Sequence, residues 1–123
     1  MSEPLGAVLN YPTDKLEFFQ TPGEVHEVTA ICGEVSGLCP VTKQPDLYTL
    51  EITYDPNGRI IESKSLKLYL WRFRDQGISC EDLSAVVAKD LAEQHGSTTV
   101  HVKATQQSRG GIVLVAKSSA TSK

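Results

Sequence analysis

The sequence predicts an α+β domain of order ββααββ: a four-stranded antiparallel sheet carrying two helices on one face. Three observations point there. Residues 47–54 alternate Leu47, Thr49, Glu51 and Thr53 against Tyr48, Leu50, Ile52 and Tyr54, the period of a strand with one buried face. Two successive stretches then place apolar residues at helical spacing. After them, alternation resumes at Thr98 and doubles back at Gly110-Gly111.

In chain order, residues 1–23 are rich in Pro and Gly and read as an irregular arm, with Leu16, Phe18 and Phe19 available to pack against a neighbour. Residues 24–116 form one domain, beginning with a strand through Val25, Val28, Ala30, Ile31 and Val35 in which Gly33 marks a bulge. The strand at 47–54 follows and ends in the turn Asp55-Pro56-Asn57-Gly58. Leu66, Tyr69, Leu70 and Phe73 set the first helix, closed by Gly77. A second helix starts near Ser79, with Asp82 completing an imperfect capping box, and carries Leu83, Val86, Val87 and Leu91 on one face as far as Gly96. Residues 98–105 and 112–116 make the last hairpin, around Ser108-Arg109-Gly110-Gly111. The small polar run 117–123 reads as a flexible tail. Such a sheet leaves its outer strands unpaired, which oligomeric closure would cure.

Composition narrows the function. A net charge of -3 over 123 residues gives no basic footprint for nucleic acid, so a free small molecule suits the chain better. The three cysteines are odd in number and lack zinc-type spacing, and His26, His95 and His101 fall on different elements, so no metal is expected. A reducing compartment, no secretory start and no apolar run of membrane-spanning length together predict a cytoplasmic protein without a membrane partner. A domain of this size has little room for a deep private pocket, which makes subunit interfaces the natural place for a site.

Two constellations could carry chemistry. Cys39 and Asp46 flank a loop between two strands, so both side chains can reach one mouth; Cys39 is then a nucleophile and Asp46 its proton partner. On spacing alone the plainer alternative, a small buried hydrophobe and a turn residue, is favoured. The run Glu62-Ser63-Lys64-Ser65-Leu66-Lys67-Leu68-Tyr69 crowds hydroxyls and ammonium groups at a helix start, suited to phosphate or simply to a capped, solvated helix. Glu81 is either a carboxylate favoured by the helix dipole or one aimed at a ligand.

The wording of these segments is specific. Leu38-Cys39-Pro40-Val41-Thr42-Lys43-Gln44-Pro45-Asp46, the Glu62 to Tyr69 run, Glu81-Asp82 and Arg109-Gly110-Gly111 agree in order and spacing with one family over about residues 24–116. The chain resembles the short, single-domain 7-cyano-7-deazaguanine reductases of queuosine biosynthesis, the QueF family. The resemblance implies the tunnelling fold, in which ββααββ subunits close into a homo-oligomeric ring barrel, two rings stack, and sites lie between subunits. It implies that Cys39 adds to the nitrile carbon as a thioimide, that Asp46 donates the proton, and that two hydrides from NADPH give 7-aminomethyl-7-deazaguanine. It further implies that Ile61, Glu62, Ser63, Cys80 and Glu81 hold the base and that Lys64, Ser65 and Lys67 meet the cofactor. A carboxylate can accept from a guanine edge, and ammonium groups can meet phosphates.

One segment departs from the family, which usually has Phe-His-Glu where this chain has Ser79-Cys80-Glu81. Ser79 cannot stack on a base, and a thiol is a weak donor in place of imidazole. The resemblance also sets Cys80 near Cys39, so that oxidation could join them. Two other functions remain open: an amidine-forming relative in which ammonia attacks the same thioimide on a base in nucleic acid, and a non-catalytic deazapurine-binding tunnel protein. The complete Glu-Ser-Lys-Ser-Leu-Lys motif favours reduction over the first, and the presence of Cys39 and Asp46 weighs against the second.

Overall fold

The computed structural model of the chain describes residues 12–122. Its elements are β1 (Phe18–Gln20), β2 (Val28–Leu38), β3 (Pro45–Tyr54), β4 (Arg59–Ile61), α1 (Ser63–Trp71), a 3-10 turn (Arg72–Asp75), α2 (Cys80–His95), β5 (Thr99–Arg109) and β6 (Ile112–Thr121). β2, β3, β5 and β6 form an antiparallel sheet in the order β2-β3-β5-β6, and β1 pairs antiparallel with β4. This is the expected ββααββ plan with two short strands added.

The alternation read from the sequence decides which face is buried. Tyr48, Leu50, Ile52 and Tyr54 of β3, with Val100, Val102 and Ala104 of β5, point into the core under the helices. The opposite face is polar, where Glu51 and Lys103 sit across from one another 3.6 Å apart. β2 bends at the register shift between Cys32 and Val35, where Gly33 lies. The β5–β6 hairpin turns through Gly110 and Gly111, whose φ angles of 59° and 83° suit residues without a Cβ.

Both helices have defined starts. Glu62 caps α1 with its carboxylate, accepting from the N–H groups of Lys64 and Ser65, and the Ser79 hydroxyl caps α2 by accepting from Asp82 N–H. α2 ends at Gly96 in the left-handed region. Its buried stripe is Cys80, Leu83, Ser84, Val87, Ala88, Leu91, Ala92 and His95, so Val86, expected on that face, is instead 37% exposed. The first helix also differs: α1 stops at Trp71 and tightens into the 3-10 turn, which carries buried Phe73.

Two expectations for the chain ends are corrected. The run from Lys117 was expected to fray, yet β6 continues to Thr121, because main-chain pairing such as Thr99 opposite Thr121 holds it whatever its side chains. Within the expected arm, Leu16 is buried and Phe18 packs on the chain's own core, so these two residues have an intramolecular partner; Phe19 remains 43% exposed. Residues 1–11 of the arm, and Lys123, lie outside the described residues. No helix among the described residues is long and apolar enough to cross a membrane.

His95, fully buried at the end of α2, ties the turn before β4 to the helix. Its Nε2 lies 2.8 Å from both the Pro56 and Arg59 carbonyl oxygens, which only accept, so Nε2 carries the proton and donates to both. Its Nδ1 accepts from Ser97 N–H at 3.3 Å, and Phe18 and Tyr54 pack edge-on to the ring. His95→Leu is expected to lower unfolding free energy by about 1–3 kcal/mol, since a fully buried ring loses its bonds to both carbonyls, of which Pro56 O keeps Arg59 N–H as a donor. Denaturant titration checks it, and an unmoved midpoint would mean that other donors satisfy the two carbonyls.

Candidate active site

The Cys39 loop is shaped by main-chain bonds. Cys39 N–H donates to Gln44 O at 2.8 Å and Lys43 N–H donates to Cys39 O at 2.9 Å, closing a short loop in which Lys43 adopts a φ of 62°. The end of β2 is zipped onto the segment before α2: Leu38 N–H donates to Gln76 O at 2.8 Å, and Ile78 N–H donates to Leu38 O at 3.0 Å. A Cβ on Gly37 would lie 3.1 Å from Ile78 Cγ2, so glycine permits this close approach. The result sets the Cys39 loop beside the head of α2, where Glu81 is exposed.

Asp46 sits opposite Gly37 on β3 and is 6% exposed. Arg109, at the end of β5, reaches it: Nη1 lies 3.1 Å from Asp46 Oδ1, and Nη2 donates to Gln44 Oε1 at 3.1 Å. The Thr42 hydroxyl, followed by the N–H groups of Thr42 and Val41, draws the Cys39 thiol down to about 7, with a further contribution from Arg109. Tyr48, whose hydroxyl donates to Ile78 O at 3.3 Å, is pushed up to about 12, first by burial and then by the Asp46 charge. It stays a neutral phenol. Cys39, Thr42, Gln44, Asp46, Tyr48 and Arg109 thus share one corner; the sequence marks Arg109 only as part of Arg109-Gly110-Gly111, and Thr42 and Gln44 only by their place in the loop.

The other expected site residues are placed differently. Both carboxylate oxygens of Glu62 are engaged at the start of α1, at 2.7 Å from Lys64 N and 2.8 Å from Ser65 N. Ser65 is buried, its hydroxyl donating to Glu62 O and accepting from Glu17 N–H, and Ile61 is buried with its N–H on the Tyr54 hydroxyl. Ser63 and Lys67 are exposed and Lys64 is half-buried. Cys80 is 1% exposed, its thiol 3.5 Å from Ala104 O and raised by burial, then by the Glu81 charge. In this subunit it presents no surface to a ligand, because it opens the buried stripe of α2. Cys32, Cys39 and Cys80 are all free thiols.

Ser63 and Lys67 border cavities of about 420 and 450 Å³ between α1 and β2, and neither cavity is lined by Cys39, Asp46, Glu81 or Arg109. One subunit therefore does not bring the two halves of the expected site together. The second cavity offers Lys67 and Arg74 beside Leu68, Leu70 and Trp71, cationic donors next to apolar walls. Glu34 and Ser36 line the same cavity, so a carboxylate stands among its two cations. Among the described residues, no three His, Cys, Asp or Glu side chains cluster as a metal site would require.

Comparison with known proteins bears on the family of the chain, and the family match begins at Pro45, after Cys39. The family described as QueF-like protein matches residues 45–123. A Frankia casuarinae protein named NADPH-dependent 7-cyano-7-deazaguanine reductase is 41% identical over 103 residues, covering 84% of this chain and 82% of that protein. Proteins of the same name from Staphylococcus aureus strains JH9 and Newman are 41% identical over 107 residues. The match covers 85% of this chain and 64% of those proteins, so the chain spans less than two thirds of their length.

Proposed function

The chain belongs to the QueF-like protein family, and from that premise we propose that it reduces the nitrile of 7-cyano-7-deazaguanine to an aminomethyl group with NADPH, through a thioimide on Cys39. The observation that carries the reading is the Cys39 loop, in which a part-exposed thiol is drawn down to about 7 beside buried Asp46. A thiol lowered in this way gives up its proton more readily than an ordinary cysteine, and the thiolate is the form that adds to an electrophilic carbon. The names carried by the Frankia and Staphylococcus relatives support the same substrate and cofactor.

In the proposed addition, the Cys39 thiol proton passes to the Asp46 carboxylate, Sγ bonds to the nitrile carbon, and Asp46 hands that proton to the nitrile nitrogen, leaving a neutral thioimide. The exposed Glu81 carboxylate suits the donor edge of the base. Lys67 and Arg74, which line the cavity beside α1, suit the phosphates of NADPH, which supplies hydride when bound, and Lys64 lies on the same helix; Ser65, expected with them, is buried against the Glu17 main chain. Glu62 serves by capping α1 and so fixing the start of that helix.

We infer further that the working form is a homo-oligomer, a closed barrel of two stacked rings in the cytoplasm, taking a free base rather than nucleic acid. Among the described residues, β2 and β6 are the outer strands of the sheet, β2 being joined on its outer side only at Leu38, and they expose Ile31, Ile112, Val113, Leu114 and Val115. Pairing these edges between copies would cover them, and a site shared between subunits would let α1 of one copy complete the Cys39 corner of another. The test is NADPH oxidation on adding the free nitrile base, with intact mass recorded without NADPH and particle size by sedimentation. Consumption of NADPH and a covalent mass shift are expected. An unaltered mass with no oxidation would sink the reading, and ammonia-dependent conversion to an amidine would replace it with the amidine-forming one.

A further inference from the structure

We propose that Arg109 is a positioning residue of the addition step: from the β5–β6 hairpin its guanidinium grips the Asp46 carboxylate and the Gln44 amide together, fixing the Cys39 loop against the acid that serves it. The inference rests on the thioimide reading above and adds a residue to it. The contacts are specific in kind. Nη1 and Nη2 of one planar group serve two different residues of the loop and its exit strand, each at 3.1 Å, and Gln44 in turn holds Cys39 through its carbonyl. Arg109 is 37% exposed at its side chain and Asp46 only 6%, so the cation covers the carboxylate from the solvent side.

The proton balance gives this grip a function. As the thiol adds, its proton leaves Sγ for Asp46, the sulfur pair forms the C–S bond, one nitrile π pair moves onto nitrogen, and Asp46 passes the proton there. Nothing is oxidised or reduced in that step. A proton resting on Asp46 weakens its ion pair with Arg109, and handing the proton to nitrogen restores it. The neighbouring titratable groups do not substitute: Tyr48 on β3 and Cys80 on α2 are held protonated by burial, and Glu81 carries the opposite charge to Arg109. The lowered titration of Cys39, to which Arg109 contributes after Thr42 and Val41, agrees with a cation at this corner.

The test uses the full chain as Arg109→Gln and Arg109→Lys, folded by circular dichroism, without NADPH. Iodoacetamide labelling of the Cys39 peptide across pH needs no nitrile, and its midpoint in the parent is expected near 7. Arg109→Gln is expected to move that midpoint upward and to slow nitrile adduct formation about 10²-fold, with base affinity little changed, and Arg109→Lys to recover part of both. Should Arg109→Gln not fold, Gln44→Ala removes the other half of the grip and is expected to slow adduct formation in the same direction. A variant with the parent's labelling curve and adduct rate, impaired only in NADPH oxidation, overturns the proposal and assigns Arg109 to reduction. A parent that labels at Cys39 yet forms no nitrile adduct sinks the thioimide reading instead, and the labelling curves still judge Arg109.

Discussion

Cys39→Ala is expected to abolish the mass shift on adding the nitrile base and to lower NADPH oxidation on the order of 10³-fold or more, the scale of removing a nucleophile. No neighbouring thiol can take over. Cys80 is sealed in the core with its thiol on Ala104 O, and burial pushes it up. Cys32 sits on the outer strand β2 and is likewise pushed up by burial. Cys39 differs from both because a loop hydroxyl and loop N–H groups face its sulfur. Cys39→Ser separates shape from ionisation, since a serine hydroxyl in the same loop stays protonated, and it too is expected to form no adduct. An alanine variant that retained the mass shift would remove Cys39 from the mechanism.

Much of the fold was legible because period and phase survive into packing. The alternation at 47–54 gave β3 with its buried face, and Ser79, Gly96 and Gly110-Gly111 marked ends that the backbone keeps. What was not legible has physical reasons. β1 and β4 are three residues each, too short to carry a period, and their pairing joins segments some 40 residues apart. The last residues of β6 are small and polar, as a frayed end would be, but an edge strand is held by its ladder rather than by its side chains.

The candidate site was legible in its loop and less so at its helices. Two residues flanking a loop between paired strands must come close, and Cys39 and Asp46 do share a corner. The cluster at the start of α1 reads from sequence as free donors and acceptors, whereas Glu62 and Ser65 satisfy the helix end and the Glu17 main chain. Cys80 followed a signal that the phase of α2 could have corrected, because positions 80, 83, 84, 87 and 88 form one stripe and that stripe is the core. Arg109 lies 63 residues beyond Asp46, so only the hairpin that returns β5 past the Cys39 loop reveals their contact.

Asp46→Asn is expected to leave base binding near the parent level while slowing adduct formation by about 10²–10⁴-fold, the range that one positioned acid–base group contributes. The amide keeps the volume of the carboxyl group, and its oxygen can still accept from Arg109, so the buried corner retains a hydrogen bond where the ion pair stood. It cannot take the thiol proton or deliver one to the nitrile nitrogen, and without that proton the addition leaves a costly anion on nitrogen. Binding and chemistry therefore separate: calorimetry with the nitrile base reads the first, and the rise of adduct absorbance after mixing without NADPH reads the second. An adduct that rises at the parent rate would show that solvent protonates the nitrogen and that Asp46 serves the loop alone. A loss of base affinity equal to the loss of rate would make Asp46 a binding group, because only an interaction made beyond the ground state slows the step while leaving the complex intact.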